Sequence, residues 1–354
     1  MELGITTFAE TTPHVGTNYK ATHAERLREI VAEIKLADEV GLDVYGVGEH
    51  HREDYAASAP AVVLAAAAMQ TTRIKLTSAV TVLSSDDPVR VYQQFATLDG
   101  LSNGRAEIMA GRGSFTESFP LFGYSLDDYD ALYEEKLRLL LNIRDNEIVH
   151  STGTHRPSIP GLGIYPRPVQ QKIPIWLASG GTPQSAIRAG ELGLPITFAI
   201  IGGSPLYFAR LAELYFQAAA KAGHDLNTLH IASHSHGFIA ETEEEAIEKF
   251  YEPLRRSMNA IGAERGWGDY TKETFDFARS MDGALYVGDP QTVAQKIIIL
   301  RKEVGVTRFM VHIPVGSMPH DDVLKAIELF GTKVAPIVRQ EIARWEALLE
   351  VEDN

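Results

Sequence analysis

No cysteine occurs among the 354 residues. Disulfides, thiolate metal sites and cysteine nucleophiles are therefore excluded outright. Positive charge is also scarce: 33 Lys and Arg stand against 47 Asp and Glu, a net charge of −14. With no basic cluster to offset it, the chain lacks the electrostatic footprint for nucleic acid or an anionic membrane. Long apolar runs are missing too. The longest, Ala56–Met69, is Ala-rich, holds Ser58 and Pro60, and is too short to span a bilayer. The chain starts as a strand, Glu2–Phe8, with no basic stretch leading into an apolar one, so a cytoplasmic protein is expected. No G-x-G-x-x-G follows that strand, which weakens a dinucleotide-binding reading.

The composition that remains, 45% hydrophobic and 23% charged, is that of an ordinary globular protein. Its most informative stretch runs from Ile74 to Phe115. An apolar run (Ile74–Val82) leads to a Pro-started amphipathic segment (Pro88–Leu98). Gly100, Asn103 and Gly104 break the chain, and a second apolar run (Ala106–Ala110) ends in Gly111-Arg112-Gly113. This is strand, crossover helix, strand, with near-continuous apolar runs that fit parallel strands covered on both faces. Further units can be read along the chain. Strands are expected at Glu2–Phe8, Val44–Gly48, Ile175–Leu177, Ile196–Ile201, His230–Ile239 and Arg308–Ile313. Thr22 and Glu25 form a capping box before the first helix. Two excursions interrupt the repeat. Residues 147–173 are rich in Gly and Pro and fit a hairpin; residues 262–285 show no clear period and read as a lid or binding loop. Eight strand–helix units argue for a single (β/α)₈ TIM barrel domain over residues 1–354, with an open doubly wound sheet as the alternative.

Candidate chemistry falls at strand ends. Glu49-His50-His51 closes strand two, and because neighbouring strand residues alternate, at most one of the two histidines is expected to face a cavity. His234-Ser235-His236 has metal-like spacing but no obvious third ligand, so strand histidines or substrate contacts compete with a metal. Ser179, Gly180, Gly181 and Thr182 join a strand end to a helix start, where free N–H groups and the positive helix end favour a phosphate. Arg112 offers a fork of donors to the same anion. Glycines in such a turn also serve the turn alone, and Gly202-Gly203-Ser204 repeats the signal more weakly. Trp267, Tyr270, Phe275 and Phe277 in the second excursion either cover an apolar ligand or anchor the loop.

Taken together, Glu49-His50-His51, Ser78 to Leu83, Asp87 to Arg90, Leu98-Asp99, Ser102 to Arg105, Gly111-Arg112-Gly113 and Ala178 to Thr182 resemble the bacterial luciferase-like flavin monooxygenase family in order and spacing. The resemblance covers nearly the whole chain. It implies a barrel that uses reduced FMN and O₂, with His50 as the catalytic histidine. It further implies Ala79-Val80 as a cis peptide behind the flavin ring, Arg112 and Ser179 to Thr182 on the phosphate, and a mobile loop at 262–285. Gly111 stands where the luciferases hold a reactive cysteine, and Ser179 where they hold a carboxylate, so the substrate stays open. Such chemistry needs a dry pocket, which a barrel mouth with a lid supplies.

A monooxygenase fed reduced FMN by a separate NAD(P)H:flavin reductase is therefore expected. The alternatives are a deazaflavin-dependent reductase or dehydrogenase of the same superfamily, a flavin-binding subunit without its own turnover, and a metal hydrolase. A homodimer, or pairing with a paralogous subunit, is expected through the Ala59–Met69 helix and its neighbour from Pro88. Its motivation is the Ala65–Ala68 run together with the family's habit.

Overall fold

The computed structural model describes residues 1–17 and 19–352. Eight parallel strands close on themselves: β1 (Glu2–Thr7), β2 (Val44–Val47), β3 (Lys75–Ser78), β4 (Ala106–Gly111), β5 (Ile175–Ser179), β6 (Ile196–Ala199), β7 (Ile231–Ile239) and β8 (Arg308–His312). Each pairs with the next, and β1 pairs with both β2 and β8, so the sheet has no edge. The barrel expected from the repeat is the fold observed. Helices cover its outside, and the main apolar core lies between them and the strands. The capping box forms as expected, with Glu25 N–H donating to Thr22 Oγ (3.2 Å) and Thr22 N–H to Glu25 Oε (2.8 Å).

Two expectations need correction. The run Ile74–Val82 is not one strand: β3 ends at Ser78, the Ala79–Val80 peptide is cis, and Thr81–Val82 pairs with the end of β4. Residues 262–285 are not a structureless loop. The preceding helix continues to Arg265, a second helix spans Lys272–Arg279, and Tyr286–Gly288 pairs alongside the end of β7. Phe275 is buried against Tyr251 and anchors this segment, while Trp267 and Phe277 are exposed. Weak periodicity here reflects short elements that bury few residues each. The hairpin in the first excursion is present, as Ile148–Ser151 paired antiparallel with Ile159–Gly163.

Because strand residues alternate in face, the barrel interior fills in layers. Val44, Met109, Trp176, Ala232 and Met310 form the apolar middle layer. Below it, at the N-terminal end, lies an ion network. The Arg308 guanidinium donates to both oxygens of Glu107 (2.6 and 3.0 Å) and to Glu2 (2.7 Å), and sits 4.1 Å over the Trp176 ring. Lys75 joins it at Glu2 (2.5 Å). Both Arg308 and Glu107 are buried, so removing one partner strands the other's charge. Arg308→Met is therefore expected to lower unfolding stability by about 3 kcal/mol or more, read by urea denaturation. A loss under about 0.5 kcal/mol, the usual surface value, would show that the network contributes little.

Candidate active site

At the opposite end, above the C-terminal ends of the strands, a cavity of about 300 Å³ opens into the barrel. Its wall combines three groups of residues. Met109, Val80, Ala178 and Ala199 make an apolar floor. Glu49, His50 and His51 come from the end of β2, and Arg112 to Phe115 from the end of β4. Ser179, Gly180 and His234 complete the lining on the β5 to β7 side. Parallel α/β barrels put their ligands at this end because the loops that follow the strands converge there.

The expectation that at most one histidine of Glu49-His50-His51 faces the cavity does not hold: both line it. The strict alternation fails because β2 stops at Val47, two residues earlier. His50 is fixed by its N–H bond to Ala57 O (3.0 Å), and its ring packs among Phe8 (4.8 Å), Tyr55 (4.3 Å) and Phe115 (5.1 Å). Burial, followed by the charges of His312, His51 and Arg52, lowers its pKa to about 3, so this ring is neutral at pH 7. His51 behaves oppositely. Its Nε2 is 2.8 Å from Glu49 Oε1, and this hydrogen bond raises its pKa. The other Glu49 oxygen accepts from Val82 N–H (2.8 Å), so one buried carboxylate links β2 to the segment after β3. The site thus holds a neutral imidazole in an aromatic box beside an imidazole that favours its proton.

The residues expected to hold an anion come from neighbouring strands, since β4 pairs with β5. Arg112 lies on the wall, bonded to Asp130 (2.8 Å) and over Tyr129 (5.6 Å), whose hydroxyl donates to Gly113 O (2.9 Å). Gly111 permits a close approach: a β-carbon there would meet the Val80 side chain at 2.7 Å. Gly180 is the reverse case, since a β-carbon there would meet nothing within 4 Å and its missing side chain is cavity space. Ser179 Oγ accepts from Gly181 N–H (3.2 Å), which shapes the turn. Ser179 and Gly180 line the cavity; Gly181 and Thr182 do not, and Thr182 Oγ donates to Ser185 Oγ (2.8 Å).

These features fit a flat, partly apolar ring with an anionic tail. Ala79 and Val80 are both on the wall, joined by the cis peptide that the resemblance implied. Two lining residues, His234 and Thr197, carry a buried polar atom with no partner among the described residues. The metal alternative finds no support: among the described residues no group of three His, Asp or Glu could hold an ion. Residues 267–285 do not line the cavity. Instead Arg265 reaches it indirectly, donating to Ser114 O (2.9 Å) and packing over Phe115 (5.5 Å). Phe8, Phe115, Tyr129 and the Glu49–His51 bond were not foreseen, although Glu49 belongs to a motif and Phe115 sits close to another.

The family model for luciferase-like monooxygenases matches residues 1–308. Among relatives, the alkanal monooxygenase alpha chain of Photobacterium leiognathi is 24% identical over 341 residues, covering 89% of this chain and 94% of that one. Among solved structures, the oxygenating constituent of 3,6-diketocamphane monooxygenase from Pseudomonas putida, in complex with FMN, superposes with a TM-score of 0.74. Its identity is 23%, with 96% of this chain and 98% of that chain covered. An F420-dependent secondary alcohol dehydrogenase shares the fold as well, with a TM-score of 0.73, 20% identity and 95% and 98% covered.

The histidines are expected to make the fold acid-sensitive. His50, His236 and His312 are held at about 3, and His234 well below its ordinary value, chiefly by burial. In the unfolded chain each binds a proton near pH 6.5, which the fold refuses, so stability is lost as pH falls below 6.5. Glu10, raised to about 7 by burial, acts oppositely and adds stability between pH 7 and about 4.5. The histidines outnumber it. The melting temperature is expected to drop steeply from pH 6.5 to 4.5, with each excess proton costing roughly 1.4 kcal/mol per pH unit. A flat scanning-calorimetry profile over that range would mean these rings open to solvent readily.

Proposed function

The chain belongs to the luciferase-like monooxygenase family, and from that premise we propose that it is an FMN-dependent monooxygenase oxygenating a small organic substrate. The observation that carries this reading is the cavity's polarity: an anion end at Arg112, Ser179 and Gly180, an apolar floor, and His50 in its aromatic box. Arg112 and the Ser179–Thr182 turn would hold the FMN phosphate, and Ala79 and Val80 would back its ring. Reduced FMN, when bound, supplies the activation of O₂. The chain's own residues do the rest. Arg112, whose partner Asp130 is exposed, would be free to hold the phosphate with its fork of donors. Phe8, Tyr55 and Phe115 exclude water around His50. The His50 ring, neutral at pH 7, accepts or relays a proton at its free nitrogen. The Glu49 hydrogen bond raises the His51 pKa on the same wall.

The reduced flavin would come from a separate NAD(P)H:flavin reductase, because the chain has no dinucleotide fingerprint and one barrel mouth has little room for a nicotinamide as well. No helix of the described residues is long and apolar enough to cross a membrane, in keeping with a cytoplasmic protein. A homodimer, or a pairing with a paralogous chain, would use the helices Pro60–Ala68 and Pro88–Ser102, where Val62, Met69 and Leu101 are exposed. A deazaflavin-dependent reductase is the second reading, favoured by the F420-dependent neighbour of the same fold.

Two substitutions test the reading. Arg112→Ala is expected to weaken FMN binding far more than riboflavin binding in calorimetry, since only FMN carries the phosphate; equal losses would remove Arg112 from the anion site. His50→Ala is expected to keep FMN affinity and lose roughly 10²–10⁴-fold in substrate oxygenation, the scale of a positioned acid or base. Single-turnover rates with reduced FMN that match wild type would reduce His50 to a packing residue.

A further inference from the structure

Two polar side chains on the inner wall of β6 and β7 have no part in the chemistry above. Thr197 and His234 both line the cavity and are 2% and 8% exposed. The Thr197 hydroxyl and His234 Nε2 are buried, and neither has a partner among the described residues. Across the paired strands Thr197 lies opposite Ala232, and Ala199 opposite His234. Strand residues alternate in face, so these four share the inner face of the barrel. Ala232 belongs to the apolar middle layer, which puts Thr197 at that depth and His234 one step nearer the opening. On the other face of β7 the hydroxyls are satisfied: Ser233 and Ser235 bond each other (2.9 Å).

The His234 ring is fixed by packing. It stacks on Phe8 (5.6 Å) and meets the His312 ring edge-on (5.3 Å). Phe8 also packs on His50 (4.8 Å), so one phenyl ring stands between the two histidines. Burial, followed by the charges of His312 and His236, lowers the His234 pKa well below its ordinary value, and the ring is neutral at pH 7. The charged side chains of the lining lie elsewhere: Glu49 follows β2, while Arg112 and Glu117 follow β4. The residues assigned to the flavin follow β3, β4 and β5, which leaves β6 and β7 unassigned. Their wall therefore offers a hydroxyl and a neutral imidazole beside the short side chain of Ala199. Such groups suit a neutral oxygen, since an anion would call for a cation. An apolar ligand placed against them leaves both unsatisfied, whether it meets them bare or displaces a water that they hold.

We propose that Thr197 and His234 form the polar subsite for the organic substrate and hold a neutral carbonyl or hydroxyl oxygen of it. The Thr197 hydroxyl donates to that oxygen. His234 Nε2 donates as well when it carries the proton of the ring, and accepts from a substrate hydroxyl in the other tautomer. The apolar part of the substrate rests on the floor of Val80, Met109 and Ala178. A site built this way selects against molecules of the same shape that lack the oxygen, because its buried polar groups are then left unpaired. It also selects against carboxylates, for which β6 and β7 supply no cation. Calling the ligand the substrate rests on the monooxygenase reading; the preference for a neutral oxygen does not.

Ligand-observed NMR titrations with acetophenone, toluene and benzoate, with and without oxidised FMN, test the subsite without turnover. Wild type is expected to bind acetophenone about tenfold or more tighter than toluene or benzoate, the scale of a buried hydrogen bond. Thr197→Val and His234→Leu are each expected to lose most of that preference while keeping their affinity for toluene and for FMN. Thr197→Ser, which keeps the hydroxyl, should restore it. No preference for acetophenone in wild type overturns the proposal. Equal losses for acetophenone and toluene in the variants also overturn it, since the residues would then only shape the cavity. So does a loss of FMN affinity with the acetophenone preference intact, which would give the two groups to the flavin. A preference for acetophenone in a protein that binds no FMN would fail the functional reading and leave the subsite standing.

Discussion

The carboxylate of Glu49 holds the two halves of the site at their working distance. One oxygen bonds the His51 ring and the other the Val82 N–H, each at 2.8 Å. These bonds tie the end of β2 to the short segment that follows the break in β3. His50 and His51 on one side, and Ala79 and Val80 on the other, take their places from that bridge. A buried carboxylate is costly unless paired and fully bonded. Glu49 meets that condition with one oxygen on the His51 ring and the other on a backbone N–H, and the same bond raises the His51 pKa.

Polar chemistry is separated along the barrel axis. The N-terminal end holds permanent charges, Arg308 with Glu107 and Glu2, locked in mutual bonds. An apolar layer follows. The C-terminal end holds imidazoles and one carboxyl whose charges depend on pH and on burial. Burial lowers the pKa of His50, His234 and His312, so these rings favour their neutral form. The same burial is why the fold is expected to lose stability in acid.

The eight-strand repeat was legible because buried parallel strands are written as apolar runs between helical periods. The excursion at 262–285 was less so, since its helices are short and expose most of their surface. Within the family resemblance, motif residues divide by location. Arg112, Ser179 and His50 reach the cavity. Asp99 and Arg105, equally part of the pattern, serve the fold: Asp99 accepts from Val169 and Gln170 N–H (2.8 and 3.0 Å), and Arg105 donates to the carbonyls of Ile74 and Ala68 (2.7 and 3.1 Å). Spacing alone does not separate these roles, because both kinds of residue follow strand or helix ends. The contact between Glu10 and His312 could not be picked out at all, since they stand some three hundred positions apart and are brought alongside by closure of β8 onto β1.

Oxygen insertion from reduced FMN is the claim on which the functional reading stands. It is tested by supplying the protein with chemically reduced FMN and isotopically labelled O₂ across a panel of aldehydes, sulfonates and heterocycles, and reading products by mass spectrometry. One labelled oxygen atom in an organic product, formed only when the protein is present, is the expected result. Label confined to peroxide and water across the panel, with turnover appearing instead when a reduced deazaflavin replaces FMN, would contradict it.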